Sequence, residues 1–168
     1  MMNKKTALDD ISIRTELVPG DLGYVISRHG ALYKKEYDYG IEFENYVAAG
    51  LVEFYKTYDP LLDRVWICEH NAMPIAFLFL VHRADDISQL RYFLIEPSYR
   101  GIGLGKKLMD LFLAFHRSCE YSSCYLWTTN EQEAASALYK KYGFRLMEEK
   151  TSAVFGKPVI EQRYELLT

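Results

Sequence analysis

Arg100-Gly101-Ile102-Gly103-Leu104-Gly105 decides how the rest of the chain is read. It follows a predicted strand, Gln89 to Glu96, and the punctuating Pro97-Ser98-Tyr99, and it opens a helix. Alternate glycines let the backbone turn tightly and let a ligand approach without meeting a Cβ. The first turn of a helix has N–H groups with no partner inside the helix, and the helix dipole favours an anion there. Lys106 and Lys107 place positive charge beside it. A diphosphate suits this chemistry. A dinucleotide fingerprint, Gly-x-Gly-x-x-Gly early in a βαβ unit, does not fit, because here the spacing is Gly-x-Gly-x-Gly and several strands precede it. The P-loop pattern Gly-x-x-x-x-Gly-Lys-Ser/Thr is absent as well.

Downstream, Leu104, Leu108, Leu111, Phe112 and Phe115 share one helical face, which predicts a helix from Leu104 to Arg117. Ser123 to Thr128 reads as a strand. A further helix, Glu131 to Tyr142, stops at Gly143, a natural left-handed residue after a helix end. Phe144 to Glu148 and Val159 to Leu167 are closing strands, the latter with Ile160, Gln162, Tyr164 and Leu166 on one side.

Upstream, three strands make an antiparallel meander: Arg64 to Glu69, Ile75 to His82 and Gln89 to Glu96, with turns at His70 to Pro74 and Ala84-Asp85-Asp86. Ile75 to His82 is nearly continuous in apolar residues, as expected of a strand buried on both faces. Before them, Ile11 to Leu17 alternates as a strand, and Asp21 caps a helix that runs through His29. Phe43, Val47, Leu51 and Phe54 predict a second helix, Ile41 to Tyr58. Gly30 to Gly40, rich in tyrosine and charge, has no assignment, and residues 1–10 read as frayed. The expectation is a single α/β (α+β) domain over residues 1–168, with a strand–helix–strand crossover in its second half.

The composition narrows the function classes. A 49% apolar fraction is ample for a core, and a net charge of −3 gives no basic excess for a nucleic acid. Three cysteines in no metal-ligand spacing suit free thiols in a reducing cytosol. No metal is expected. No signal peptide is visible, and the longest apolar run is too short to span a bilayer, so a cytoplasmic protein without a membrane partner is expected.

The glycine loop resembles the signature of the Gcn5-related N-acetyltransferase (GNAT) family, [Gln/Arg]-x-x-Gly-x-[Gly/Ala] at a strand-to-helix junction, at every specified position. Ala137-Leu138-Tyr139-Lys140-Lys141-Tyr142-Gly143-Phe144 resembles the family's A-x-x-L-Y-x-x-x-G-F helix ending. Together the two motifs are specific. The resemblance covers roughly Val65 to Leu167. More loosely, Gly20-Asp21-Leu22-Gly23 and Arg28-His29-Gly30-Ala31-Leu32-Tyr33 are similar to acetyltransferase domains fused behind MarR-type winged helices, although no such DNA-binding domain is expected within these 168 residues.

The resemblance implies a mixed, mostly antiparallel twisted sheet with helices on both faces and a splayed central strand pair. It implies acetyl-CoA as cofactor, its pantetheine arm on the freed backbone of Phe93, Leu94 and Ile95. The pyrophosphate then rests on N–H groups of Arg100, Gly101, Ile102, Gly103, Leu104, Gly105 and Lys106. Tyr139 takes the place of the general acid aimed at the departing sulfur. With a pKa near ~10 it can donate at neutral pH without special tuning. Asn130 or Gln132 stands where an asparagine often meets the pantetheine arm. The glutamate that serves as base in histone-type relatives is replaced by Gln89, which cannot accept a proton, so His29, Glu36 or Glu44 stands in as candidate. His29, Tyr33 and Glu36 are the expected acceptor-binding residues, and carboxylates beside aromatics suit a small cationic amine, an amino acid or a peptide N-terminus. The expected function is N-acetyl transfer from acetyl-CoA to such a primary amine by direct attack in a ternary complex. A catalytically weak acyl-CoA sensor is the alternative. Family members are frequently dimers, so a homodimer stays open.

Overall fold

Seven consecutive residues, Ile75 to Val81, are all buried, and they belong to the middle of the sheet. They form the body of β3 (Met73–Arg83), whose side chains enter two separate cores. Phe77, Phe79 and Val81 face one core, while Leu78 and Leu80 face the other. A strand covered on both sides has no use for polar alternation, hence the unbroken apolar run.

The computed structural model describes residues 6–167. Residues 1–5 of the start expected to be frayed therefore lie outside the described residues, whereas Leu8–Asp10 form a 3-10 turn. The sheet order is β1 (Ser12–Arg14), β2 (Arg64–His70), β3, β4 (Ile87–Ile95), β5 (Ser123–Thr129), β7 (Val159–Leu167) and β6 (Arg145–Ser152). Neighbours are antiparallel except β4 and β5, which run parallel. A parallel pair needs a crossover, and α3 (Leu104–Ser118) supplies it. On one face α1 (Asp21–Tyr37) and α2 (Ile41–Lys56) bring Val25, Leu32, Phe43, Val47 and Leu51 onto Phe77 and Phe79. On the other, α3 and α4 (Glu133–Lys141) bring Leu104, Leu108, Phe112 and Tyr139 onto Leu78 and Leu80. The mixed, mostly antiparallel sheet with helices on both faces is the expected one.

Four local differences have physical reasons. α1 continues through the unassigned segment to Tyr37, and the Glu44 carboxyl of α2 fills the space that a side chain at Gly30 would need. Asp21 does not cap that helix. It receives two hydrogen bonds from Arg14 (2.7 and 2.6 Å) and one from the Val18 N–H (2.8 Å), tying β1 to α1. β1 is shorter than Ile11 to Leu17, because only Ser12–Arg14 pair with β2. β6 runs on to Ser152 with nearly every residue exposed, so no burial pattern announces it.

Two irregularities of β4 prepare a site. Its pairing with β5 covers only Ile87, Ser88 and Gln89, after which the two strands diverge. The register against β3 also slips between Phe77 and Phe79, opposite a bulge in which Tyr92 takes a left-handed φ of 53°. The bulge shifts the alternation. Leu90 faces the α3/α4 core, Tyr92 and Leu94 face the α1/α2 core, and Phe93 packs back against the α3/α4 side.

Candidate active site

The fork between β4 and β5 opens just past Gln89. Its side-chain oxygen accepts hydrogen bonds from Arg83 Nε (2.9 Å), Arg83 Nη2 (2.6 Å) and the Tyr125 hydroxyl (3.2 Å). One buried amide thus holds β3, β4 and β5 together at the last paired residue. Its acceptor atom is fully engaged, so Gln89 is a structural clamp.

Beyond the clamp lie two cavities. The first, of about 320 Å³, has the diverging backbone of Phe93, Leu94 and Ile95 along one wall. Arg100, Gly101 and Gly105 form its floor, with Leu138 and Tyr139 of α4 opposite. Leu94 and Ile95 pair with Phe77 and Ala76 of β3, which leaves their other edge to the cavity. Gly101 (φ 76°) and Gly103 (φ 92°) hold left-handed conformations, and α3 starts after Gly103 with no side-chain cap. The N–H groups of its first turn are left for a ligand. Ile102, Gly103, Leu104 and Lys106, expected beside a pyrophosphate, do not line the cavity itself. Leu104 is buried in the core beneath it, and Lys106 is exposed and paired with Asp110 at 2.8 Å.

The second cavity, of about 100 Å³, lies on the α1/α2 side. His29, Phe43, Tyr46, Arg91, Trp127, Phe155 and Glu161 line it. Phe43, Tyr46 and Phe155 pack on one another with ring centroids 5.0 to 6.4 Å apart. The two cavities meet at four shared residues: Tyr33, Phe93, Gln132 and Tyr139.

The expected site residues separate accordingly. Tyr139 and Tyr33 stand at the junction, and burial pushes both hydroxyls well above the ordinary tyrosine range. His29 lines the second cavity but is 3% exposed, bonds the Val25 carbonyl oxygen through Nδ1 (2.9 Å), and is lowered by burial to about 4. It is a neutral imidazole at physiological pH and a weak base.

Two expectations need correction. Glu36, expected in the acceptor pocket, lies in the first cavity and pairs with Arg100 at 2.8 Å, because α1 extends far enough to set its last turn beside the glycine loop. Asn130, expected on the cofactor, instead joins the β5–β7 edge: its side-chain oxygen accepts from the Ile160 N–H (3.1 Å) and its own N–H donates to the Ile160 carbonyl (3.0 Å). Gln132 reaches both cavities in its place. Glu44 packs over Gly30, away from the cavity lining.

Sequence reasoning missed Arg91, Trp127, Phe155 and Glu161. A signal existed for Glu161, which shares its phase on β7 with buried Val159, facing opposite to Tyr164. Arg91 gave none, since the bulge beside it carries no glycine. Among the described residues, no group of three or more His, Cys, Asp or Glu is placed to hold a metal, and no helix is long and apolar enough to cross a membrane.

Comparison with known proteins agrees with this geometry. N-acetyltransferase YjgM of Escherichia coli (strain K12), itself uncharacterized, is 31% identical over 97 residues, spanning 56% of this chain and 58% of that relative's length. A GNAT-family acetyltransferase from Staphylococcus aureus Mu50 shares the fold with a TM-score of 0.76 at 19% identity, covering 94% of this chain and 98% of the other. Spermidine N-acetyltransferase from Vibrio cholerae, in complex with CoA and spermine, does so with a TM-score of 0.69 at 18% identity, covering 95% and 96%. The acetyltransferase (GNAT) domain family matches residues 62–146, half of the chain and the part that carries the fork, the glycine loop and Tyr139. The chain therefore belongs to the GNAT acetyltransferase family.

Proposed function

We propose that this protein transfers the acetyl group of acetyl-CoA to a primary amine of a small molecule, amino acid or peptide, both reactants being bound at once. The observation that carries this reading is the junction. Two cavities of different chemistry share Tyr33, Phe93, Gln132 and Tyr139.

The first cavity fits coenzyme A. The free edge of Phe93 to Ile95 can pair with the amides of the pantetheine arm, as a strand edge pairs with any extended amide. The uncapped start of α3 and the left-handed Gly101 and Gly103 suit a diphosphate. When bound, acetyl-CoA supplies the activated acetyl thioester: one C–S bond is exchanged for one C–N bond, and the proton the amine loses balances the one the thiolate gains. Tyr139, buried at the junction, keeps its proton at every physiological pH and offers it to the sulfur. Because burial makes it a weaker acid than a free tyrosine, its contribution is a hydrogen bond that strengthens as the sulfur gains charge. Glu161, the carboxylate lining the acceptor cavity, is the proton acceptor, directly or through water.

Glu161 favours transfer over the acyl-CoA sensor, since a carboxylate lines the second cavity, with Lys150 Nζ 4.0 Å from its Oε2. Thiol release from acetyl-CoA with a panel of amines, amino acids and spermidine tests the proposal. Amine-dependent release is expected. Tight acetyl-CoA binding with no amine-dependent release would leave the sensor reading in its place.

A further inference from the structure

The acceptor cavity is lined by one cation, Arg91, and by one carboxylate, Glu161, whose Oε2 lies 4.0 Å from Lys150 Nζ. Arg91 forms none of the ion pairs among the described residues. Its guanidinium is held by ring faces instead, 4.6 Å from the Tyr92 centroid and 5.6 Å from that of Tyr46. Ring faces restrain a guanidinium while leaving its in-plane N–H donors unused.

Arg91 also lines an outer groove that continues from the acceptor cavity past Tyr46 and Trp127. Arg83 lines the same groove, donates from Nε and Nη2 to the neutral Gln89 amide, and forms none of the ion pairs among the described residues. The carboxylate on that groove, Glu53, is engaged by Lys56 at 3.0 Å. A polyamine would bring more positive charge to two guanidiniums. An anionic group on the acceptor would complete them.

Resting on the acetyltransferase reading, we infer that the acceptor is an amine that also carries a carboxylate, an amino-acid-like molecule whose carboxylate is held by Arg91 while its nitrogen lies at the Tyr139–Phe93 junction. The inner cavity, at about 100 Å³, takes only a small part of a ligand, so the acceptor's remainder extends along the groove. The aromatic wall of Phe43, Tyr46 and Phe155 suits an apolar side chain. The carboxylate is unchanged by the reaction.

Matched pairs of acceptors test this: phenylalanine against phenethylamine and glycine against methylamine, with spermidine as a third arm, in steady-state thiol release. The unmodified protein is expected to favour the carboxylate-bearing member of each pair in kcat/KM. Arg91→Gln is expected to reduce kcat/KM for phenylalanine about 10- to 100-fold more than for phenethylamine, mainly through KM, as loss of a charged hydrogen-bonded pair does. Comparing ratios between the two proteins cancels the difference in amine basicity. Arg91→Lys, which keeps the charge without the fork, should fall between them, and it serves as the readout if the glutamine variant does not fold. A preference for the decarboxylated amines or for spermidine would overturn the inference, as would an equal loss on both members of a pair. Either leaves the acetyltransferase reading standing, whereas no amine-dependent release in any arm removes both.

Discussion

The two cavities that meet at Tyr139 are built on different principles. The cofactor side is largely backbone: a strand edge, two left-handed glycines and the open start of a helix. The acceptor side is side chains brought from α1, α2, β4, β5, β7 and the loop before β7. Backbone donors form a fixed array that suits one invariant ligand. Side chains on separate elements can change one at a time, which suits a surface that selects among acceptors.

The largest effect is expected from breaking the backbone side. Gly103→Glu forces a left-handed position on a residue that resists it and places an anion at the start of α3. Acetyl-CoA affinity by calorimetry should fall at least ~100-fold, and unchanged affinity would remove the cradle. At the junction, Tyr139→Phe should lower kcat about 100-fold with little change in acetyl-CoA affinity, and Glu161→Gln should lower it by roughly tenfold in the same assay. A Tyr139→Phe protein as fast as the parent would show that the sulfur needs no donor.

The acceptor wall is expected to be the first part to suffer from acid. His29 titrates at about 4 in the fold against 6.5 when free, because burial disfavours the charged ring. Between those values the unfolded chain binds a proton that the folded chain refuses. Stability is therefore complete above about pH 6.5 and declines as pH falls toward 4. The loss from this group between pH 7 and pH 5 is about 2 kcal/mol. His29→Gln keeps a donor for the Val25 carbonyl and should flatten that part of the profile, as urea midpoints at the two pH values will show. The same slope in both proteins would mean that the ring is not the group responsible.

How much the sequence revealed follows the same division. The glycine loop and the Leu138-Tyr139 helix ending are contiguous, so they could be matched to the family's motifs, and the resemblance in turn implied the strand edge before them. Core strands were legible because Ile75 to Val81 is buried on both faces. The acceptor side was not contiguous. Glu36 went to the wrong cavity because the length of α1 was unread, and that length depends on how α2 packs over Gly30. Asn130 was misplaced because its side chain serves the β5–β7 edge, a long-range contact that spacing does not encode. Arg91 escaped because no residue type in β4 advertises a bulge.

That bulge has a consequence for how the protein can diversify. Because the phase slips at Tyr92, β4 is a single strand with two reading frames. The upstream frame, through Gln89 and Arg91, lines the second cavity and not the first, Leu94 and Ile95 downstream line the first and not the second, and Phe93 at the slip lines both. On the proposed acceptor reading, substitutions at position 91 are expected to retune the choice of amine while the backbone from 93 to 95 is left unchanged. Deleting one residue between the frames would bring them back into phase and turn one address away from its cavity. The slip thus works as a joint in the sequence: specificity can evolve on one side of it without renegotiating the other.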